Sequence, residues 1–327
     1  MNEGTRIFDV TIGGTPAIAP GPEDAFSAAY PRLSALAAGA DPASVVVAAV
    51  GPDGEVAGAA LVAARSAVVV GRHSECHLRL PHASISLRQI VILVRPPDGG
   101  APIVHLWDLH TPQPMLTEGN RPGGALIVDG ATCLTIGPYA LWVVPARGVA
   151  GRGWPSDAFA ALLARPRVQY LDQKPPEPAM PHAAPARAAR AAHTGDDSWG
   201  SWPERTLITR VPPPVVLDAS DDGPPVGSLR FRYAGQDERY QVSAERLARG
   251  VLVGRYDRCN VLAADDDINA ISRVHVLLVR IGGEVWAIDT ASTNGVWLGD
   301  REVFAEVLDD RCSLGLGTVG WLDWQAL

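Results

Sequence analysis

VVVGRHSEC (Val68–Cys76) and VLVGRYDRC (Val251–Cys259) share one pattern: three aliphatic residues, Gly-Arg, three mostly polar residues and Cys. Downstream of each comes an Ile-Ser pair, Ile85-Ser86 and Ile271-Ser272. Each pair leads into an apolar run, then into a segment with Trp and Asp: Trp107-Asp108 in the first, Trp286 and Asp289 in the second. Self-similarity at this spacing indicates one duplicated β unit rather than chance.

Short runs rich in β-branched and aromatic residues surround both stretches. In the first half they are Ser44–Val50, Val56–Ala63, Ala67–Val70, Ile90–Val94, Ile103–Asp108 and Leu141–Val144. In the second they are Ser228–Tyr233, Arg239–Val242, Val251–Val253, Val274–Ile281, Val285–Asp289, Gly295–Leu298, Cys312–Leu316 and Gly320–Trp324. Turn residues separate them, as in Gly51-Pro52-Asp53-Gly54, which predicts an all-β chain of sandwiches or barrels. The chain divides into an N-terminal extension (1–43), a first β domain (44–147), a linker (148–223) and a second β domain (224–327). The extension allows a weak helix around Glu23–Ala38, interrupted by Pro31. Ser156 and Pro166 bracket a possible short helix, Ser156–Ala164. The Pro/Ala/Arg-rich stretch beyond it, from Lys174 to His193, reads as a flexible, partly extended linker.

The chain has 327 residues, 47% hydrophobic and 20% charged, enough to bury cores. A formal net charge of −8 argues against nucleic acid as the ligand. Cys76, Cys133, Cys259 and Cys312 stand far apart and read as isolated thiols of a reducing compartment, neither a disulfide framework nor a zinc site. The first residues show no leader pattern, and no stretch is apolar enough to span a membrane, so a cytoplasmic location is expected. Asp265-Asp266-Asp267 reads as a solvated loop rather than a metal site. No metal and no cofactor are expected. Catalytic signatures are absent, and the protein is expected not to be an enzyme.

The second repeat carries three loop motifs in order: Gly254-Arg255, Ser272-Arg273-Val274-His275 and Ser292-Thr293-Asn294-Gly295. Together they suit a phosphorylated side chain on an extended peptide. Arg255 offers a fork of donors for a phosphate dianion. Ser272 and Thr293 add hydroxyls, and Asn294 has the donor and acceptor to pair with a peptide backbone. Gly295 allows a turn with positive φ.

These motifs, in a β-rich domain of this size, resemble the forkhead-associated (FHA) family. The resemblance implies two FHA-like β-sandwiches joined by the Pro/Ala-rich linker, with the binding loops at one end. It implies preference for phosphothreonine over phosphoserine. Matched by motif, Arg255 and Ser272 are expected to contact phosphate, Thr293 to assist, Asn294 to hold the peptide backbone and Arg273 to reach the peptide main chain. Gly254, His275 and Gly295 are expected to support the loops. Ala270, two residues before Ser272, offers no charge and so predicts no acidic preference in the peptide. The first repeat departs from the pattern. Arg72 and Ser86 are kept, but Leu87 and Gln89 stand for Arg273 and His275, and Pro112-Gln113-Pro114 replaces Thr-Asn-Gly, with Gln113 at the place of Asn294. Proline lacks an N–H, so this repeat is expected to be degenerate.

The partner is thus expected to be a phosphothreonine-containing protein, a Ser/Thr kinase or its substrate, with the protein acting as an adaptor. The alternative is a phosphorylation-independent scaffold with a vestigial pocket. Thr194 and Thr206, in the linker, are candidate tethered ligands. Trp297, Trp321 and Trp324 are expected to fill a sandwich core or edge.

Overall fold

The computed structural model describes residues 5–8, 22–51, 54–96, 102–117, 120–146, 167–172, 223–263 and 270–327. The candidate helix at 156–164, most of the linker with Thr194 and Thr206, and Asp265–Asp267 lie outside the described residues. The first half comprises β1 (Thr5–Phe8), α1 (Pro22–Ala38), β2 (Val45–Val50), β3 (Val56–Val62), β4 (Ala67–Gly71), β5 (Leu78–Arg79) and β6 (Ile90–Arg95). It continues with β7 (Ile103–Asp108), β8 (Met115–Thr117), β9 (Arg121–Gly123), β10 (Ala125–Asp129), β11 (Thr132–Ile136), β12 (Tyr139–Pro145) and β13 (Arg167–Tyr170). The second half comprises β14 (Pro225–Tyr233), β15 (Gln236–Ser243), α2 (Ala244–Arg249), β16 (Val251–Gly254), β17 (Val261–Leu262) and β18 (Val276–Ile281). It ends with β19 (Glu284–Asp289), β20 (Val296–Leu298), β21 (Arg301–Val303), β22 (Ala305–Leu308), β23 (Arg311–Leu316) and β24 (Gly320–Ala326).

Each half is a sandwich of two sheets, and the strand orders repeat. The outer sheets run β3-β2-β12-β11-β8-β9 and β15-β14-β24-β23-β20-β21. The inner sheets run β10-β7-β6-β4-β5 and β22-β19-β18-β16-β17. The first half adds β1 at one edge, paired with β3, and β13 at another, paired with β10. Both lie in stretches that sequence assigns to the extension and the linker. Edge pairing satisfies backbone groups that a sheet border would otherwise leave to solvent.

Helix α1 runs unbroken through Pro31, contrary to the expected interruption. Proline forfeits only one helical hydrogen bond and crowds one turn. The opposing gain is burial: Ala29, Tyr30, Leu33 and Ala37 pack on Ala48, Val50, Trp142 and Val144, on the outward face of the first outer sheet. That cover explains why β2, VVVAAV, is buried at every position instead of alternating. By contrast β14 alternates buried and partly exposed residues, because the second outer sheet leaves one face to water.

The two inner sheets are buried on both faces. One face of each lines its own sandwich core, around Val68, Ile90 and Leu106 in the first domain and Val253, Val276 and Leu278 in the second. The opposite faces meet each other. Ala67, Val69, Val91, Leu93 and Trp107 form one continuous apolar cluster with Leu252, Leu277, Val279, Ile281, Trp286 and Ile288. The domains are therefore joined through a largely apolar seam. Polar contacts also cross it: Arg65 pairs with Glu284 at 3.5 Å, and Trp107 Nε1 donates to Ala248 O at 3.0 Å. Strand ends match across the seam, since Arg65 and Glu284 precede or open strands away from the Gly254-Arg255 loop, whereas Arg88 and Ala291 meet at the end that carries it.

Register corrects two readings of the tryptophans. Trp107 is paired with Val91 and Ile288 with Leu277, so Trp107 corresponds to Ile288 and His105 to Trp286; only Asp108 and Asp289 are equivalent. Of the C-terminal three, only Trp324 enters the core; Trp321, an odd number of residues away, falls on the opposite face and is 46% exposed. Trp297 and Trp321 flank Gly315 on that solvent face. Among the described residues no helix is long and apolar enough to cross a membrane, and no cluster of three His, Cys, Asp or Glu side chains could hold a metal.

Candidate functional site

The end of β16 sets the first loop. Gly254 is buried beneath the turn after Ile271-Ser272, where an added Cβ would lie 2.5 Å from Arg273 O. Only glycine permits that approach. The next residue, Arg255, is tied to the same turn: its N–H donates to Ser272 O at 3.2 Å and its Nε to Ile271 O at 2.5 Å. The guanidinium is thereby held over the Ser272 turn while the side chain stays partly exposed. Tyr256 N–H donates to Arg273 O at 2.9 Å, and Cys259 Sγ bonds to the same carbonyl at 3.3 Å. Burial pushes the Cys259 thiol up to about 12, so it stays protonated.

His275 joins the second loop to the third. Fully buried, it accepts from Ser272 N–H through Nδ1 at 2.9 Å. The ring proton then sits on Nε2, which donates to Gly295 O at 3.0 Å. Burial pushes this imidazole down to about 4, with the bond to Gly295 opposing and the charge of Arg88 assisting. It is a neutral strut.

Asp289 shapes the third loop. Its carboxylate accepts from Ser292 N–H at 2.7 Å and Ser292 Oγ at 3.1 Å, although burial pushes it up to about 6. Ala291 takes φ 61 to make the turn, and Gly295 takes φ 74. Thr293 N–H then donates to Ser272 Oγ at 2.9 Å, and Ser272 Oγ lies 3.4 Å from Thr293 Oγ1. Asn294 Nδ2 donates to Ala270 O at 2.9 Å, which leaves its Oδ1 and a second N–H toward solvent. Ala270 itself is buried and contributes its carbonyl rather than a surface side chain.

Arg255, Ser272, Thr293 and Asn294 thus meet at one end of the second sandwich, on three loops that brace one another. Thr293, Asn294 and Arg273 are exposed, and the Arg273 guanidinium stands 5.5 Å from the Tyr256 ring. Gly254, His275 and Gly295 lie beneath them.

The first domain keeps the scaffold but not the donors. Arg72 Nε donates to Ile85 O at 3.1 Å, matching Arg255. Gln89 stands in for His275 in part: Oε1 accepts from Ser86 N–H at 2.9 Å as the imidazole does, while Nε2 donates to Thr111 Oγ1 and Gln113 O, each at 2.6 Å, one residue short of the Gly295 position. Asp108 holds Thr111 as Asp289 holds Ser292. At the place of Thr293, however, Pro112 has no N–H to fix Ser86 Oγ, and Pro114 stands where the turn glycine would be.

Sequence reasoning passed over Arg88, which corresponds to Val274 yet is buried and crosses the seam. Its Nε donates to Ala291 O at 3.0 Å, and its Nη2 donates to the same carbonyl. The signal that could have exposed the seam is the lack of alternation in Val68–Val70, Ile90–Val94 and Val274–Ile281, which implies burial on both faces.

The family description of the FHA domain matches residues 251–317. Among solved structures, the first FHA domain of Mycobacterium tuberculosis Rv1747 is 29% identical, aligning over 31% of this chain and 97% of its own, with TM-score 0.25. The FHA domain of Chlamydia trachomatis CT664 is 21% identical over 31% of this chain and 98% of its own, with TM-score 0.27. No curated protein matches the chain. The β16–β23 region, with its three braced loops, belongs to the FHA domain family.

Proposed function

We propose that the second domain binds a phosphothreonine-containing segment of a partner protein and that the chain serves as an adaptor in Ser/Thr kinase signalling. The observation that carries this reading is the Ser272–Thr293 junction. One loop's hydroxyl is fixed by the next loop's N–H, beside a guanidinium anchored on Ile271 O and a carboxamide anchored on Ala270 O. Donors held in place before the ligand arrives lose little entropy on binding. Arg255 and Ser272 take the phosphate, Thr293 assists, Asn294 pairs with the peptide main chain and Arg273 reaches along it. Each charge-assisted bond contributes about 1.5–3 kcal/mol net, so a few of them give a moderate, reversible affinity.

The scaffold alternative draws support from the seam, since the paired domains do dock through sheet faces. It gives no reason for an exposed Thr293-Asn294 tip braced on Ser272. Calorimetry of the full chain with a degenerate phosphothreonine peptide pool, beside unphosphorylated and phosphoserine pools, separates the two. Heat with phosphothreonine alone is expected. Equal behaviour of all three pools would leave the scaffold reading standing.

A further inference from the structure

The loop that carries Thr293 and Asn294 is not held by its own domain alone. Arg88 leaves the first domain at the loop end of the seam, is 4% exposed, and directs both Nε and Nη2 onto the carbonyl of Ala291. Ala291 is the left-handed residue that turns the chain into Ser292-Thr293-Asn294. A non-glycine residue in that region carries backbone strain and persists only where its surroundings hold it. The Arg88 charge also faces Asp289, the carboxylate that clasps Ser292, so one guanidinium supports the turn by hydrogen bond and by charge.

The support is itself braced. Arg258, from the Arg255 loop, donates through Nη2 to Arg88 O at 3.4 Å, and its own carbonyl lies 2.9 Å from His110 Nδ1. Its guanidinium stands 5.3 Å from the Tyr256 ring. A buried guanidinium is unfavourable unless it is well bonded. Here Arg88 replaces the aliphatic residue found at the equivalent Val274, beside the apolar cluster that joins the domains. A pure packing role would be served better by valine.

We infer that the degenerate first domain acts as a fixed support for the peptide-gripping loop of the second, and that Arg88 is the positioning residue. The inference rests on the phosphopeptide reading for its binding consequence, but not for its structural one.

The test uses the full chain in four forms: native, Arg88→Met, Arg88→Lys and Arg65→Met. Methionine keeps the unbranched stem and removes the donors. Lysine restores one donor. Arg65→Met removes the Arg65–Glu284 pair at the far end of the seam. Two readouts are taken: affinity for the phosphothreonine pool, and amide exchange of Thr293 without peptide. Arg88→Met is expected to weaken binding about tenfold and to speed Thr293 exchange, Arg88→Lys to recover part of both, and Arg65→Met to change neither. Native affinity and exchange in Arg88→Met would overturn the inference, as would equal losses in Arg65→Met. If Arg88→Met does not fold, Arg88→Lys decides: unchanged Thr293 exchange there overturns it. If the native chain binds no phosphothreonine peptide, the functional reading fails, while the exchange data still judge the support.

Discussion

Arg255→Ala is expected to weaken phosphothreonine-peptide binding by about 100-fold or more while leaving the unfolding midpoint nearly unchanged. The affinity loss follows from removing at least two charge-assisted bonds of about 1.5–3 kcal/mol each, at about 1.4 kcal/mol per factor of ten. The small stability effect follows from partial exposure, because the residue caps the Ile271 turn rather than filling the core. Arg255→Lys is expected to recover little. An ammonium cannot bond Ile271 O through a side-chain Nε and still present a planar fork to phosphate. Arg72→Ala, the same change in the first domain, is expected to leave affinity as it was, since Pro112 leaves its Ser86 unfixed. Calorimetry and chemical denaturation of the three full-length variants check this. A loss under about threefold for Arg255→Ala would remove Arg255 from the phosphate site.

The second large effect lies at His275. His275→Leu would leave Ser272 N–H buried without a partner, at about 1–3 kcal/mol, while Gly295 O keeps the N–H of Gly317 at 3.0 Å and loses only its tie to the second loop. His275→Gln is expected to cost less, because Gln89 in the first domain takes the matching Ser86 N–H and still bridges to the third loop. The two variants also differ in pH response. The folded-state value of His275 is pushed from 6.5 down to about 4. Folding favours the neutral ring, so its stability contribution is full above 6.5 and is lost as pH falls toward 4. The shift corresponds to roughly 3 kcal/mol across that window. Asp289 opposes it: a carboxyl raised to about 6 binds a proton in the folded state first, and so favours folding as pH drops. His105, stacked on Trp107 at the seam and likewise pushed down to about 4, adds to the acid sensitivity. The difference between native protein and His275→Gln isolates the one imidazole. Denaturant midpoints at pH 7.5 and 5 should converge in the variant; parallel curves would show that His275 does not set the acid limit.

The all-β class and the three loops that meet at one end of the second sandwich were legible because each rests on a short, contiguous pattern. Gly254-Arg255 needs a strand end and a close backbone approach, and both can be read within a few residues. Gln89 was harder. Next to His275 it reads as a departure, yet its carboxamide takes the matching N–H and reaches the third loop one residue earlier, at Gln113 O; the bracing was kept between the repeats where residue type was not. Pro31 misled because one lost helical bond is outweighed by a buried face that lies on another element. The seam was least legible. Val91 and Leu93 look alike whether they face their own core or another domain, and Arg88 has no local mark that separates it from a solvated arginine. Its role depends on Ala291, whose position relative to it is fixed only by the seam.

The seam also governs how the protein can be dissected. Cut anywhere within the residues between β13 and β14, the chain would yield two fragments that each carry an uncovered sheet of aliphatic side chains: Val91, Leu93 and Trp107 on one, Leu277, Val279 and Trp286 on the other. Expressed alone, either fragment is expected to self-associate. Expressed together, they should find each other without a covalent tether and restore the same loop end. The protein would then behave as a split pair whose reassembly could be read by recovery of peptide binding.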